Sequence, residues 1–451
     1  MSKIKTPNVA GRFYTSIKEE LLQTLDTFKQ NHKSDYNYQS RAIIVPHAGY
    51  DFSGQLAYDG FCYLNKSAKN IFIFAPTHHK TVNNLALGDY DEWETPLGNI
   101  STNRIVSDEL IREFQCEYCN EAFEKEHAIE VMLPIIQHQF ENVKIIPILI
   151  GNDDIEKTLK IIKHYFVNPN NVFVISSDLS HFLKEEDSLK VDVLTARMLE
   201  DKNMQGFRYE QACGAIPIYA LNEFAKYKNF DFIRVGLTNS SRTTGDTNSV
   251  VGYGSWFLYE GNRNDFIQEN FAPKIIDIVR KTIDAKLFGK SQINITSYMP
   301  YPQVLESFGA CFVTLELNGS LRGCIGSIIP QSQLIVDLIK NSHNAAFADP
   351  RFPALTREEF EKVKISVSLL SLPTPIEFKN EDELLQQIRP NIDGIIIKDK
   401  NKQAVYLPSV WEQLSEKTMF LNSLKQKAGL PQNHFSHTFE AYRFTANYIK
   451  E

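Results

Sequence analysis

The chain has 451 residues, of which 43% are hydrophobic and 23% charged, and its formal net charge is −7. At roughly 100–200 residues per domain, that length predicts two to four domains, each able to bury a core. The acidic balance and the lack of a long Lys/Arg run argue against a nucleic-acid partner.

No apolar run approaches the ~20 residues of a membrane span. The opening Met1-Ser2-Lys3-Ile4-Lys5 leads into no signal-peptide pattern. The expected location is therefore the cytoplasm, with no membrane partner and the six cysteines as reduced thiols.

Ser16-Ile17-Lys18-Glu19 reads as a capping box. It opens a helix that carries Leu21, Leu22, Leu25 and Phe28 at helical spacing. A polar linker over 30–40 follows. Short apolar strands are predicted at 42–46, 70–76, 143–150 and 172–177, separated by helices at 53–65, 153–166 and 183–203. That alternation predicts an α/β layered domain. Pro147 has no N–H to donate, so its strand is expected at an edge or to be irregular. Strands near 232–238 and 250–258 close this half.

The polar break Glu260-Gly261-Asn262-Arg263-Asn264-Asp265 sets the expected boundary, giving domains 1–261 and 262–451. The second half opens with an amphipathic helix over 266–286. A strand at 310–317, a helix at 331–346 and strands at 363–370 and 394–398 follow. A hairpin turns at Asp399-Lys400-Asn401-Lys402, which makes the half α+β.

Three apolar strands of the first half end on histidine motifs: Pro46-His47-Ala48-Gly49, Pro76-Thr77-His78-His79 and Ser176-Ser177-Asp178-Leu179-Ser180-His181. In an open α/β sheet, loops beyond the strand carboxyl ends converge on one crevice. Neutral imidazole is a common transition-metal ligand, so His47 and His78 are the leading metal candidates. Eight of the eleven histidines lie at or before His181.

Cys213 is expected to open or interrupt a helix, where the helix terminus would lower its thiol pKa. Otherwise it is a small core residue. Asp178 and His181 read as a pair that orients a ligand, as a general acid/base pair, or as a helix cap. His127 and Glu130 share a face if helical. Cys116-Glu117-Tyr118-Cys119 is a lone CxxC and reads as coincidence.

At these residues the first half resembles the Memo family. The matching segments are Gly11-Arg12-Phe13-Tyr14, Pro46-His47-Ala48-Gly49-Tyr50, Pro76-Thr77-His78-His79, His127-Ala128-Ile129-Glu130, Ser176-Ser177-Asp178-Leu179-Ser180-His181 and Cys213-Gly214. The resemblance implies a fold similar to class III extradiol dioxygenases, which use non-haem Fe(II). It implies that His47, His78 and Cys213 bind a redox metal, iron or copper, with Fe(II) first; a thiolate ligand would also suit zinc. It places Asp178, His181, His127 and Glu130 around the pocket. A thiolate in place of the dioxygenase carboxylate departs from that pattern, so ring cleavage does not follow from the fold.

The second half, roughly 265–451, resembles the AMMECR family through Leu321-Arg322-Gly323-Cys324-Ile325-Gly326, Asp349-Pro350-Arg351-Phe352 and Leu407-Pro408. Physically, Arg322 could clamp an anion beside glycine-exposed amides, with Cys324 as nucleophile. Alternatively, the glycines only shape a tight turn and Cys324 is buried. Fusion of the two families implies one pathway shared with a radical-SAM partner.

The expected function is a metal-dependent redox protein acting on a small-molecule substrate. A non-catalytic metal- or partner-binding protein is the alternative. Cysteine chemistry at Cys213, with His181 as base, is a third reading.

Overall fold

The computed structural model describes residues 2–34, 37–151, 155–289 and 295–451. They form two compact units, Met1–Arg263 and Asn264–Glu451.

The core of the first unit is a nine-stranded sheet. Its strands are β1 (Ala42–Val45), β2 (Asn70–Pro76), β3 (Leu85–Leu87), β4 (Glu117–Tyr118), β5 (Lys144–Ile150), β6 (Asn171–Ser176), β7 (His181–Leu183), β8 (Asp231–Asn239) and β9 (Val250–Tyr259). They run in the order β7-β9-β1-β6-β2-β5-β3-β4, with β8 on β9. The central four, β1-β6-β2-β5, are mutually parallel. They are apolar on both faces, with Ile43, Ile44, Phe72, Phe74, Ile146, Ile148, Phe173 and Ile175 all at 0% exposure, as expected for strands covered by helices on both sides. The expected strand positions match these to within a residue or two.

Of the two expectations for Pro147, the edge position fails, because β5 is an interior strand, while the irregular one holds. Pro147 pairs with Ile73 on the β2 side. On the other side the β3 ladder stops at Ile148 and the next bridge joins Thr102 to Ile145. The missing N–H therefore falls in a gap between partners, so no ladder bond is lost.

Local chemistry also adjusts the helix boundaries. The first helix, Lys18–Asn31, has Ile17 at its N-cap and no side-chain cap. Thr15 takes the local role instead: its hydroxyl donates to Glu20 and accepts from the Ile17 N–H. The helix expected at 53–65 begins as a π-turn, Tyr50–Gly54, and continues as Gln55–Cys62. Such widened turns occur frequently at functional sites; this one follows His47 directly. The helix expected at 153–166 is seen as Ile155–Tyr165; 152–154 lie outside the described residues, as do 35–36 of the linker.

A buried ion pair fastens β8 and β9 to the helix Glu185–Glu200. Arg234 on β8 donates to both Glu200 oxygens, at 2.8 and 3.0 Å, and Trp256 Nε1 on β9 donates to Glu200 Oε1 at 2.8 Å. Glu200 and Arg234 are each 2% exposed. Burial opposes the carboxylate charge, but Arg234 outweighs it and holds the pKa below the usual value.

The second unit begins with the helix Arg263–Leu287, whose first residue still belongs to the first unit. It contains two antiparallel sheets. In one, Phe308–Leu317 lies between Ser320–Gly326 and Lys364–Leu370, with Ala446–Lys450 beyond. The other holds the hairpin Gly394–Asp399 and Lys402–Tyr406. The Leu321–Gly326 motif is thus a strand, and the turn is at Asn318-Gly319, both at positive φ. Gly323 serves close packing: a Cβ there would sit 2.1 Å from the Ala345 carbonyl oxygen on the helix Leu334–Phe347.

Candidate metal centre

The order β1-β6-β2 brings three strand ends side by side at one edge, so His47 follows β1, Asp178 follows β6 and His78 follows β2. His127 reaches the same point from the loop after the short helix Asn120–Phe123. The ring centroids of His47 and His78 are 5.2 Å apart, those of His47 and His127 5.4 Å, and those of His78 and His127 4.7 Å. One nitrogen from each of these three rings lies within 4.8 Å of the others.

Two of the rings are fixed in orientation. Ser176 Oγ donates to the Ala128 carbonyl at 2.6 Å, so it must accept from His47 Nδ1–H, at 2.8 Å. His47 Nε2 is left without a proton and faces the Cys213 thiol. His78 Nδ1 meets Glu126 Oε1 at 2.8 Å, which leaves His78 Nε2 as its free nitrogen. Binding the far nitrogen to a carboxylate or hydroxyl is the usual way a metal-ligating imidazole is oriented.

Glu126 also accepts from the backbone N–H groups of His78, His127 and Ala128. Burial opposes its charge, but these bonds, led by that from His78, hold its pKa at about 2. Burial, then repulsion from neighbouring imidazoles, lowers His47 to about 3 and His127 to about 4. Both rings are neutral at physiological pH, the form that binds metals.

Cys213 lies beside this group, with Sγ 3.3 Å from His47 Nε2. It precedes the helix Ala215–Lys228 and its N-cap, Gly214. Gly214 is required there, since a Cβ would lie 2.6 Å from Ser177 Cβ and 2.9 Å from the Ser176 carbonyl oxygen. The expected lowering of the thiol pKa is reversed: burial, then the Asp178 carboxylate, raises it. Desolvation outweighs the helix terminus and favours the neutral thiol. That weakens the reading of Cys213 as a metal-free nucleophile with His181 as base.

Asp178 is buried and its Oδ1 accepts the His47 backbone N–H at 2.8 Å. It is neither a helix cap nor the group that orients His181. His181 Nδ1–H instead donates to the Leu179 carbonyl at 2.8 Å. The reason is a β-bulge: His181 pairs with Val251 and Leu183 with Val250, and the intervening Phe182 has φ +59°. Both Asp178 and His181 line a cavity of about 460 Å³ that also touches His127.

Glu130 does not face this cavity. It is 1% exposed and accepts from Asn8 N–H, Val9 N–H and Tyr14 Oη–H, at 2.7, 2.8 and 2.9 Å. The helix through 130 is a single 3-10 turn, Glu130–Met132, that starts beyond His127, so the two residues share no face. Glu130→Gln is expected to cost about 1.5–3 kcal/mol. It should speed amide exchange over residues 8–14 while leaving metal content unchanged. Unaltered exchange there would contradict the anchoring role.

With this geometry in hand, the chain can be set against known proteins. The profile described as Memo-like protein matches residues 5–257, more than half of the chain. The chain belongs to the Memo family. Its second half carries an AMMECR1 domain, matched over residues 276–449. Among relatives in the Memo family, a MEMO1 family protein of Methanobrevibacter smithii is 31% identical over a 287-residue alignment that covers 56% of this chain and 98% of the relative. One from Aquifex aeolicus is 28% identical over 265 residues, covering 56% and 97%. A protein of Methanothermobacter thermautotrophicus is 34% identical over 181 residues, covering 39% and 92%. The crystal structure of an uncharacterized protein from Pyrococcus horikoshii matches at 29% identity and TM-score 0.36, covering 39% of this chain and 88% of that one.

In the AMMECR1 domain the two expected site residues have other partners. Arg322 is 7% exposed and binds both oxygens of Glu359 at 2.9 Å, so its fork is not open to an anion. Cys324 is half-buried; Thr314 Oγ1–H donates to its Sγ at 3.3 Å, and its backbone N–H donates to Asp349 Oδ2.

Glu126 and Ser176, which orient the Memo-family imidazoles, carried no prediction. Ser176 opens the Ser176–His181 motif itself, and Glu126 stands directly before His127. No helix among the described residues is long and apolar enough to cross a membrane.

Proposed function

We propose that the Memo-family unit holds a redox-active divalent metal, Fe(II) first, and carries out oxidative chemistry of the class III extradiol dioxygenase type on a small substrate. The observation that carries this reading is the pair of oriented imidazoles, His47 and His78, whose free nitrogens lie close to a third ring and beside a thiol. The donor set fits such an ion: neutral nitrogens with a softer sulfur suit Fe(II), though the same donors would also take Cu(I) or redox-inert zinc. His47, His78 and Cys213 would hold the metal, with His127 next to it.

When bound, such an ion supplies Lewis acidity and electron transfer to whatever occupies its open positions. The chain supplies the rest. Asp178, through the His47 backbone, fixes the loop that carries the first ring. His181 lines the cavity with its Nδ1–H held by the Leu179 carbonyl, which leaves Nε2 as the nitrogen that can accept a substrate proton. The AMMECR1 domain acts in the same pathway, with a radical-SAM protein as the partner; the fusion of the two domains supports this.

The test is metal content after anaerobic purification, followed by nitric oxide binding to the ferrous protein. Near-stoichiometric iron with a nitrosyl spectrum is expected. Iron without nitric oxide binding would mean a closed site and a non-catalytic role. Absence of any tightly held metal after reconstitution would sink the proposal.

A further inference from the structure

The cavity beside the imidazoles carries information about what enters it. Its apolar wall comes from Phe13 and Phe52, with Val251 and Tyr253 also lining it. Phe52 sits on the π-turn after His47 and is 41% exposed, a large apolar side chain left uncovered. Phe13 packs its ring 4.7 Å from that of His127. The aromatic lining thus includes one exposed ring, Phe52, and one ring packed beside His127, Phe13.

Three charged side chains line the cavity: Arg12, Asp178 and Asp246. Asp178 Oδ1 is taken by the His47 N–H. Asp246 Oδ1 accepts from the backbone and side-chain amides of Asn248, at 2.8 and 3.2 Å, which ties it to its own loop. Arg12 is exposed at the rim, and its guanidinium has no hydrogen-bond or ion-pair partner among the described residues. An arginine with all five donors free beside an aromatic wall is a recognition element for a planar anion, which it can grip through two parallel hydrogen bonds.

We propose that this cavity takes a small organic carboxylate with a flat apolar body, the carboxylate held by Arg12 and the body lying against Phe13 and Phe52. The inference rests on reading this cavity as the substrate site of the metal centre, and it names the substrate class.

The experiment uses the full chain, metal-free and iron-loaded, with 4-hydroxyphenylacetate and its neutral isostere 4-hydroxyphenylacetamide. Affinities are read by ligand-observed NMR titration, and iron is assayed in the same samples. The carboxylate is expected to bind about ten-fold more tightly than the amide, a difference of about 1.4 kcal/mol. Arg12→Gln should abolish that preference while leaving amide affinity and iron content unchanged. Phe52→Ser should weaken both ligands alike.

Equal binding of the two ligands, binding of neither, or a preference that survives Arg12→Gln would overturn the proposal. The two readings fail separately. A charge preference without iron would retain the carboxylate site and remove the metal, whereas iron without a preference would do the reverse.

Discussion

Replacing His47 with alanine is expected to leave the purified chain without bound iron. His47 is 1% exposed and its Nδ1–H is committed to Ser176, so Nε2 is its one free ligand atom. Losing it removes a nitrogen that neither His78 nor His127 can replace without moving off its own partners. Ser176→Ala is the informative companion, because it touches no metal. It removes only the acceptor that fixes the His47 ring, and such partners typically change affinity about 10–100-fold. Chelator competition should therefore rank wild type above Ser176→Ala and Ser176→Ala above His47→Ala. Circular dichroism would confirm that the sheet is intact in each. Stoichiometric iron in folded His47→Ala would remove His47 from the ligand set.

The second large effect concerns stability. Glu200→Ala should destabilise the first unit by about 3–5 kcal/mol, because it breaks a buried ion pair by removing the carboxylate that Arg234 grips through two hydrogen bonds. It also orphans the Trp256 indole N–H. Glu200→Gln keeps one acceptor and should cost less, and Arg234→Met with Glu200→Leu should recover most of the loss. Urea denaturation followed by tryptophan fluorescence would measure all three. A cost below 1 kcal/mol for Glu200→Ala would mean that water reaches Arg234.

Much of the first unit was legible because its central strands are apolar on both faces and stop abruptly at Pro/His motifs. A strand carboxyl end is a position that sequence can mark, which is why His47, His78 and Asp178 could be placed on one edge. Glu126 and Ser176 were hidden because their roles depend on tertiary contacts with no local pattern.

Glu130 misled for a related reason. Spacing from His127 implied a shared helical face, whereas the backbone is a single tight turn and the carboxylate is taken by residues more than a hundred positions away. Arg322 misled because its partner, Glu359, lies on a separate short helix, Arg357–Phe360. His181 lines the same cavity as Asp178, but its ring is held by the Leu179 carbonyl and not by Asp178, since a bulge at Phe182 leaves no mark in the residue alphabet. The Pro147 exception shows the same limit: a strand interior tolerates proline where a neighbouring strand happens to end.

The strand order has a kinetic consequence. His47 and His78 flank a gap that only β6 fills, and β6 is almost a hundred residues downstream of β2. Cys213 arrives later still, after the helix Glu185–Glu200. Loops of that length must close before the donors meet, and such non-local pairing is slow. A chain emerging from synthesis thus has no pre-assembled donor set to offer: an ion held by these residues would be captured after the parallel strands have docked, so its uptake would report completed folding rather than trigger it.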